Sequence, residues 1–127
     1  MNLPQKLLLI ALAGGVGTLA RYGLSVLIQN AVRPGFPWGT VAVNLLGCLA
    51  FGVLWASMER GSAISGEGRA IILIGFMGAF TTFSTFAFET GRFLQDAQWM
   101  LALGNVALQN VVGVAALLLG MAIGRLL

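Results

Sequence analysis

Four long apolar stretches take up most of this chain's 127 residues. They run from Leu7 to Ile28, from Trp38 to Met58, from Ala70 to Phe88 and from Trp99 to Gly124. Only the first is interrupted by a charge, Arg21. A helix crossing the bilayer needs about 20 mostly apolar residues, because the hydrocarbon layer is about 30 Å thick and each residue rises about 1.5 Å. Every stretch meets that length. The fourth is long enough to tilt.

The composition requires the same solvent. Hydrophobic residues make up 58% of the chain and charged residues 9%, against about 25% charged in an ordinary soluble domain. So few charges cannot cover a water-facing surface, whereas lipid asks for none. The expected fold is an all-α membrane protein with four transmembrane helices per chain. At this length, residues 1–127 read as a single transmembrane domain with no separate soluble module.

Lys6 followed by Leu7–Ala13, with Ala-Leu-Ala at 11–13, faintly resembles a signal peptide. The apolar pattern continues to about Ile28, too far for such a segment, so a retained helix is expected. The net charge of +3 comes without any basic run, which excludes a nucleic-acid footprint. Histidine is absent, which removes the commonest general base and metal ligand. Cys48, alone in an apolar run, cannot form a disulfide within the chain and reads as a small buried hydrophobe.

Turn-like segments separate the spans. They are Arg33-Pro34-Gly35-Phe36-Pro37, then Glu59-Arg60-Gly61-Ser62 with Ser65-Gly66-Glu67-Gly68-Arg69, and finally Arg92 to Gln98. Trp38 and Trp99 begin spans and Trp55 lies near the end of one, where interfacial rings are at home. Four spans put both termini on one side. Lys6, Arg60, Arg69 and Arg125 then share the terminal side, and Arg21, Arg33 and Arg92 the other. A difference of one barely specifies orientation by the positive-inside rule. Dual topology follows as the expectation, with an antiparallel homodimer of one copy up and one down.

Small residues favour close packing in lipid. Gly14, Gly15 and Gly17 cluster in the first span, Gly47 and Gly52 lie in the second, and Gly113, Gly120 and Gly124 mark the fourth. Gly15 to Ala20 also fits a GxGxxA dinucleotide pattern. No strand precedes it and no acid follows at the required distance, so it reads as a packing face.

Polar groups at membrane depth are functional candidates by default. Here they are Arg21, Asn44, the group Thr81, Thr82, Ser84 and Thr85, and Asn105, Gln109 and Asn110. No acid lies mid-span; Glu89 comes at the end of the third. Amides, hydroxyls and a guanidinium are donors, and donors without buried acids favour an anion over a cation. Taken singly, Thr82 and Asn110 read as groups that hydrogen-bond between helices.

In the third span, glycine and adjacent threonines at 78–82 suggest a helix broken near mid-membrane. Such a break is tolerated only where protein or a cavity satisfies the backbone, and its freed carbonyls can hold a monovalent cation. Phe83 and Phe86, three apart, share a helix face. Because a phenyl ring has a positive edge, two edges can stabilise a small anion without a formal charge.

The run Gly78-x-x-Thr81-Thr82-Phe83-Ser84-Thr85-Phe86-x-x-Glu89 resembles the signature of the Fluc (CrcB) fluoride channels. Gly14-Gly15-x-Gly17-x-x-x-Arg21-Tyr22 and Trp38-Gly39-Thr40-x-x-Val43-Asn44-x-x-Gly47 resemble that family's first- and second-span motifs. Essentially the whole chain is covered. The resemblance implies a dual-topology antiparallel homodimer in the bacterial inner membrane, with two fluoride pores conferring fluoride resistance. It also implies a structural Na+ at the dimer centre, held by backbone carbonyls at Gly78 and Thr81. Phe83 and Phe86 become ring-edge fluoride ligands, and Asn44 the amide that supports them and donates to the ion. Ser84 and Thr85 supply polar contacts, Arg21 holds the vestibule with Thr40 lining the same entrance, and Glu89 takes part in ion admission or gating. Where the family often has a Tyr and Ser hydroxyl track, this chain has Asn105 and Gln109, keeping the spacing and changing hydroxyl to amide.

The implied activity is passive fluoride export, with no enzymatic step. A small multidrug-type exporter shares length, four spans and dual topology, but needs an acid in the first span, where only Arg21 stands. A non-transporting membrane assembly subunit is the other alternative; only activity separates it from a channel.

Overall fold

The computed structural model describes residues 1–61 and 64–127, so Ser62 of the second separator lies outside the described residues. Among the described residues, four helical segments are long and apolar enough to cross a membrane: Leu3–Ala31, Trp38–Glu59, Gly66–Gln95 and Trp99–Gly124.

Helix α1 (Leu3–Ala31) starts on a capping box. The Asn2 side chain accepts from the Gln5 N–H at 2.9 Å, and the Gln5 side chain accepts from the Asn2 N–H at 3.2 Å. Two backbone donors that a helix start leaves orphaned are satisfied this way. The helix runs past both expected ends because its polar flanks can stay helical beyond the hydrocarbon. Gln29, near its far end, clamps the turn to α2 (Trp38–Glu59): its amide nitrogen donates to the Phe36 carbonyl and its oxygen accepts from the Gly39 N–H, each at 3.1 Å.

The third span is wider than the apolar run and is built from four pieces. These are α3 (Gly66–Ala70), a π-helical turn over Ile71–Met77, α4 (Gly78–Phe80) and α5 (Phe83–Gln95). The segment after Ser65, expected as a turn, is the first turn of α3, because the Ser65 hydroxyl caps it by accepting from the Gly68 N–H at 3.1 Å. Likewise α5 continues through Arg92 to Gln95 before turning. The fourth span comprises α6 (Trp99–Ala107), a π-helical turn over Leu108–Val112 and α7 (Gly113–Gly124).

Both ends of the bundle are tied. At one end the Met1 ammonium lies 3.5 Å from Glu67, and Arg69 donates to the Met58 carbonyl in the last turn of α2. At the other, the Phe36 ring stacks on Phe93 at 6.0 Å and tilts against Trp38 at 4.8 Å.

Glycine sets the closest helix contact, between α2 and α7. A Cβ on Gly120 would fall on the Leu49 carbonyl, and one on Gly52 on the Leu117 carbonyl. The Gly120-to-Gly124 spacing therefore seats one helix of the chain on another. The first span is the least covered, with 6% of its apolar window buried.

Candidate functional site

The third span loses its helix at Thr81 and Thr82. Thr81 (φ −89°, ψ 159°) and Thr82 (φ −148°, ψ 113°) are extended, and α5 restarts at Phe83. Thr82 caps that restart: its hydroxyl accepts from the Thr85 N–H at 3.2 Å and donates to the Thr85 hydroxyl at 2.9 Å. The Ser84 hydroxyl stands 3.5 Å from it. Thr81 turns both its N–H and its hydroxyl onto the Met77 carbonyl, each at 3.2 Å.

Asn44 of α2 repairs the break. In an unbroken helix the Thr82 N–H would bond the Gly78 carbonyl. It donates instead to Asn44 Oδ1 at 2.8 Å, while Asn44 Nδ2 donates to the Thr82 carbonyl at 3.0 Å. This releases the Gly78 carbonyl from its helical role, at a residue exposed on the surface of the single chain.

A line of hydrogen bonds continues from Asn44. Its second amide hydrogen goes to Gln109 Oε1 at 2.6 Å, and Gln109 Nε2 donates to Asn105 Oδ1 at 2.9 Å. Asn105 Nδ2 donates to the Thr90 hydroxyl at 3.0 Å, which donates to the Phe86 carbonyl at 2.9 Å. Asn105 is completely buried. Asn44 thus commits both its hydrogens to protein acceptors. Gln109 and Asn105 each keep one amide hydrogen without a partner among the described residues.

Three clefts surround this framework. The first, of about 370 Å³, is lined by Asn44, Thr81, Thr82, Phe83, Phe86 and Gln109 among others. The Phe83 and Phe86 rings stand 5.5 Å apart at 57°, so the edge of one leans toward the other. Phe86 is 8% exposed, and Phe83 is 77% exposed. On the other side of Thr82, a second cleft of about 370 Å³ holds Arg21, Tyr22, Ser25, Thr40 and Thr85. The third, of about 480 Å³, contains Thr40, Glu89, Arg92 and Asp96 near one end of the bundle. There the Thr40 hydroxyl donates to Glu89 Oε1 at 2.6 Å, and Glu89 Oε2 is buried without a hydrogen-bond partner among the described residues.

The residues singled out in the sequence therefore fall into groups. Asn44, Thr81, Phe83, Phe86 and Gln109 share the first cleft; Arg21, Thr40 and Thr85 the second; Thr40 and Glu89 the third. Gly78 and Ser84 line none of these, and Asn105 joins the site only through its hydrogen bonds. Thr82, which with Thr81 marks the break in the sequence, is its hinge and lines two clefts. One member, Thr90, was not foreseen. Thr90 carries the signal of a hydroxyl four residues after Phe86, the spacing at which Thr back-bonds to a helix carbonyl.

Comparison with known proteins agrees with this architecture. Residues 8–121 match the family described as CrcB-like protein, Camphor Resistance (CrcB). A protein of Nitrosococcus oceani is 54% identical over 123 residues, covering 97% of this chain and 98% of its own. One of Solidesulfovibrio magneticus is 50% identical over 97% of this chain and 98% of its own. A third, of Desulforapulum autotrophicum, is 47% identical over 98% of this chain and all of its own. Each of the three is named a fluoride-specific ion channel FluC. With matches of this extent, over all four spans and the break in the third, the chain belongs to the CrcB family.

Proposed function

We propose that this protein is a fluoride channel that lets the anion leave the cell passively, and that it works as an antiparallel homodimer. The observation that carries the reading is the first cleft, where tilted phenyl rings and amide donors meet at a mid-membrane helix break. Fluoride is small and tightly hydrated. A path for it has to replace water with donors, and ring edges and amide hydrogens are such donors. The full-length relatives named as fluoride channels support the same ion. A potential negative inside favours anion exit by about 2.3 kcal/mol per 100 mV, so no coupled energy source is needed.

The need for a second copy follows from what one chain leaves uncovered. Phe83, Ser84, Thr85 and Gly78 are all exposed beside the break. Irregular backbone at membrane depth is tolerated only when protein or an aqueous cavity covers it. Near-equal positive charge on the two sides lets that copy insert either way up, in the bacterial inner membrane.

A structural Na+ at the centre of such a dimer fits the donor set. Na+ takes oxygen ligands, and unwound backbone carbonyls supply them. The diverted Thr82 N–H frees the Gly78 carbonyl, one turn before the extended Thr81. Gly78 and Thr81 of two copies would hold the ion, which would join the two breaks.

Arg21 faces Thr82 and Thr85 from the second cleft and supplies positive potential there. Thr40 and Glu89 stand at one end of the path. The Thr40 hydroxyl bonds the Glu89 carboxyl, so Glu89 acts on passage through Thr40.

The test is fluoride efflux from liposomes containing the purified protein, against chloride as control. Fluoride-selective loss is expected, and liposomes no leakier than protein-free ones would overturn the channel and leave a non-transporting assembly subunit. Cysteine crosslinks should trap antiparallel pairs; trapping only parallel pairs would refute the dual topology.

A further inference from the structure

We infer that Thr90 is a positioning residue for the ion path, acting as the far anchor of a one-way hydrogen-bond relay that begins at the helix break. The inference rests on the fluoride reading above.

The polarity of the relay is dictated from its first member. The Thr82 N–H can only donate and its carbonyl can only accept, so Asn44 has to present oxygen to the one and nitrogen to the other. Its remaining hydrogen then faces Gln109, which has to present its oxygen. Gln109 therefore turns its nitrogen to Asn105, and Asn105 its oxygen to Gln109. That leaves the Asn105 nitrogen facing Thr90, whose hydroxyl has to accept and send its own hydrogen elsewhere. The Phe86 carbonyl takes it. A helix carbonyl is an acceptor only, so the last link agrees with the first.

Two consequences follow. All three amide oxygens are used inside the relay, and the leftover polar groups are hydrogens on Gln109 and Asn105. A rail of this polarity shows an anion donors and hides its acceptors. The polarity comes from the Asn44 end, but the relay is anchored at both. Without the Thr90 hydroxyl the Asn105 nitrogen loses its acceptor, and Asn105 and Gln109 are held from the Asn44 side alone. Thr90 touches no ion in this account; through the buried Asn105 it holds Gln109, the amide of the pair that lines the first cleft. The same hydroxyl links the relay to the backbone of Phe86, so the amides and the ring are fixed together.

The experiment is fluoride efflux from liposomes with the full chain and four variants: T90V, T90S, N105L and T90V/N105L. T90V keeps the shape and removes the hydroxyl, and is expected to slow efflux by about tenfold, the scale of one lost hydrogen bond. T90S restores the hydroxyl and should stay within about threefold of the wild type. In the N105L background the relay is already cut, so adding T90V should change efflux less than about threefold. A purely local role for Thr90, through its bond to Phe86, would lower N105L by the same factor as the wild type, and that result overturns the proposal. So does T90V efflux within about threefold of the wild type, or T90S as slow as T90V. If T90V does not give a monodisperse protein, T90A replaces it under the same thresholds, and N105A likewise replaces N105L. A wild type that passes no fluoride removes the underlying channel reading. An active wild type with an equally active T90V removes only the relay.

Discussion

Asn44 and Thr82 bond to each other as two peptide groups would, with the Asn44 amide accepting at 2.8 Å and donating at 3.0 Å. One side chain from the second span thus stands in for the helical neighbours that the third span gives up at its break. Unmet, a buried donor or acceptor would cost about 1–3 kcal/mol.

Asn44→Asp separates the two halves of this pairing. Aspartate still accepts from the Thr82 N–H, but has no hydrogen for the Thr82 carbonyl or for Gln109. Acceptors then face acceptors. We expect a loss of about 2 kcal/mol or more in stability, read as a lower thermal midpoint in detergent, together with loss of fluoride efflux. A variant that melts with the wild type would show that the break does not lean on Asn44.

The two phenylalanines should respond differently to truncation. Phe86 is buried within its own chain, and Phe86→Ala is expected to destabilise the fold by about 3 kcal/mol. Phe83 is mostly uncovered in one chain, so Phe83→Ile should leave the packing within the chain, and with it the helical content, close to that of the wild type. Fluoride efflux is expected to fall sharply in both Phe83→Ile and Phe86→Ile. Wild-type efflux in both would refute the ring-edge ligands.

How far the sequence discloses this architecture differs by element. Four spans follow from hydropathy because lipid imposes one length on every crossing. The break was legible at Gly78 and Thr81-Thr82, where the residues favour irregular backbone and the hydroxyls can cap a restart. The two π-helical turns were not, since Ile71–Met77 and Leu108–Val112 carry no residue type that demands them. Asn105 and Gln109 announced a polar track by their spacing, as partners one helical turn apart. Their polarity was hidden, because it is fixed by Asn44, which lies 65 residues before Gln109. Helix ends were drawn too short where polar residues such as Ser65 and Arg92 extend the helix beyond the apolar run.

Thr40 and Glu89 make a pair whose members can be changed separately. Thr40→Val removes the only hydroxyl bonded to the Glu89 carboxylate among the described residues, leaving both oxygens unpartnered. We expect a loss of about 1–3 kcal/mol. Glu89→Gln keeps the acceptor that Thr40 uses and should melt above Thr40→Val. The order of thermal midpoints checks this, and the reverse order would mean that the bond is not what holds Glu89.

Gly15 and Gly17 look alike in sequence and differ in the fold, which gives the last test. A Cβ on Gly17 would fall on the Phe76 carbonyl, so Gly17→Ala has to push α1 away from the third span. A helix carbonyl cannot yield as a flexible side chain can, and overpacking of this kind is expected to destabilise by about 1–3 kcal/mol. At Gly15 nothing in the same chain lies within 4 Å of the added carbon. Gly15→Ala should therefore leave the chain's own packing intact. Thermal midpoints should show Gly17→Ala well below the wild type and Gly15→Ala close to it. If Gly17→Ala melts with the wild type, α1 does not rest on the third span at Phe76. If Gly15→Ala keeps its helical content but loses crosslinked pairs, the uncovered face of α1 is one that the second copy occupies.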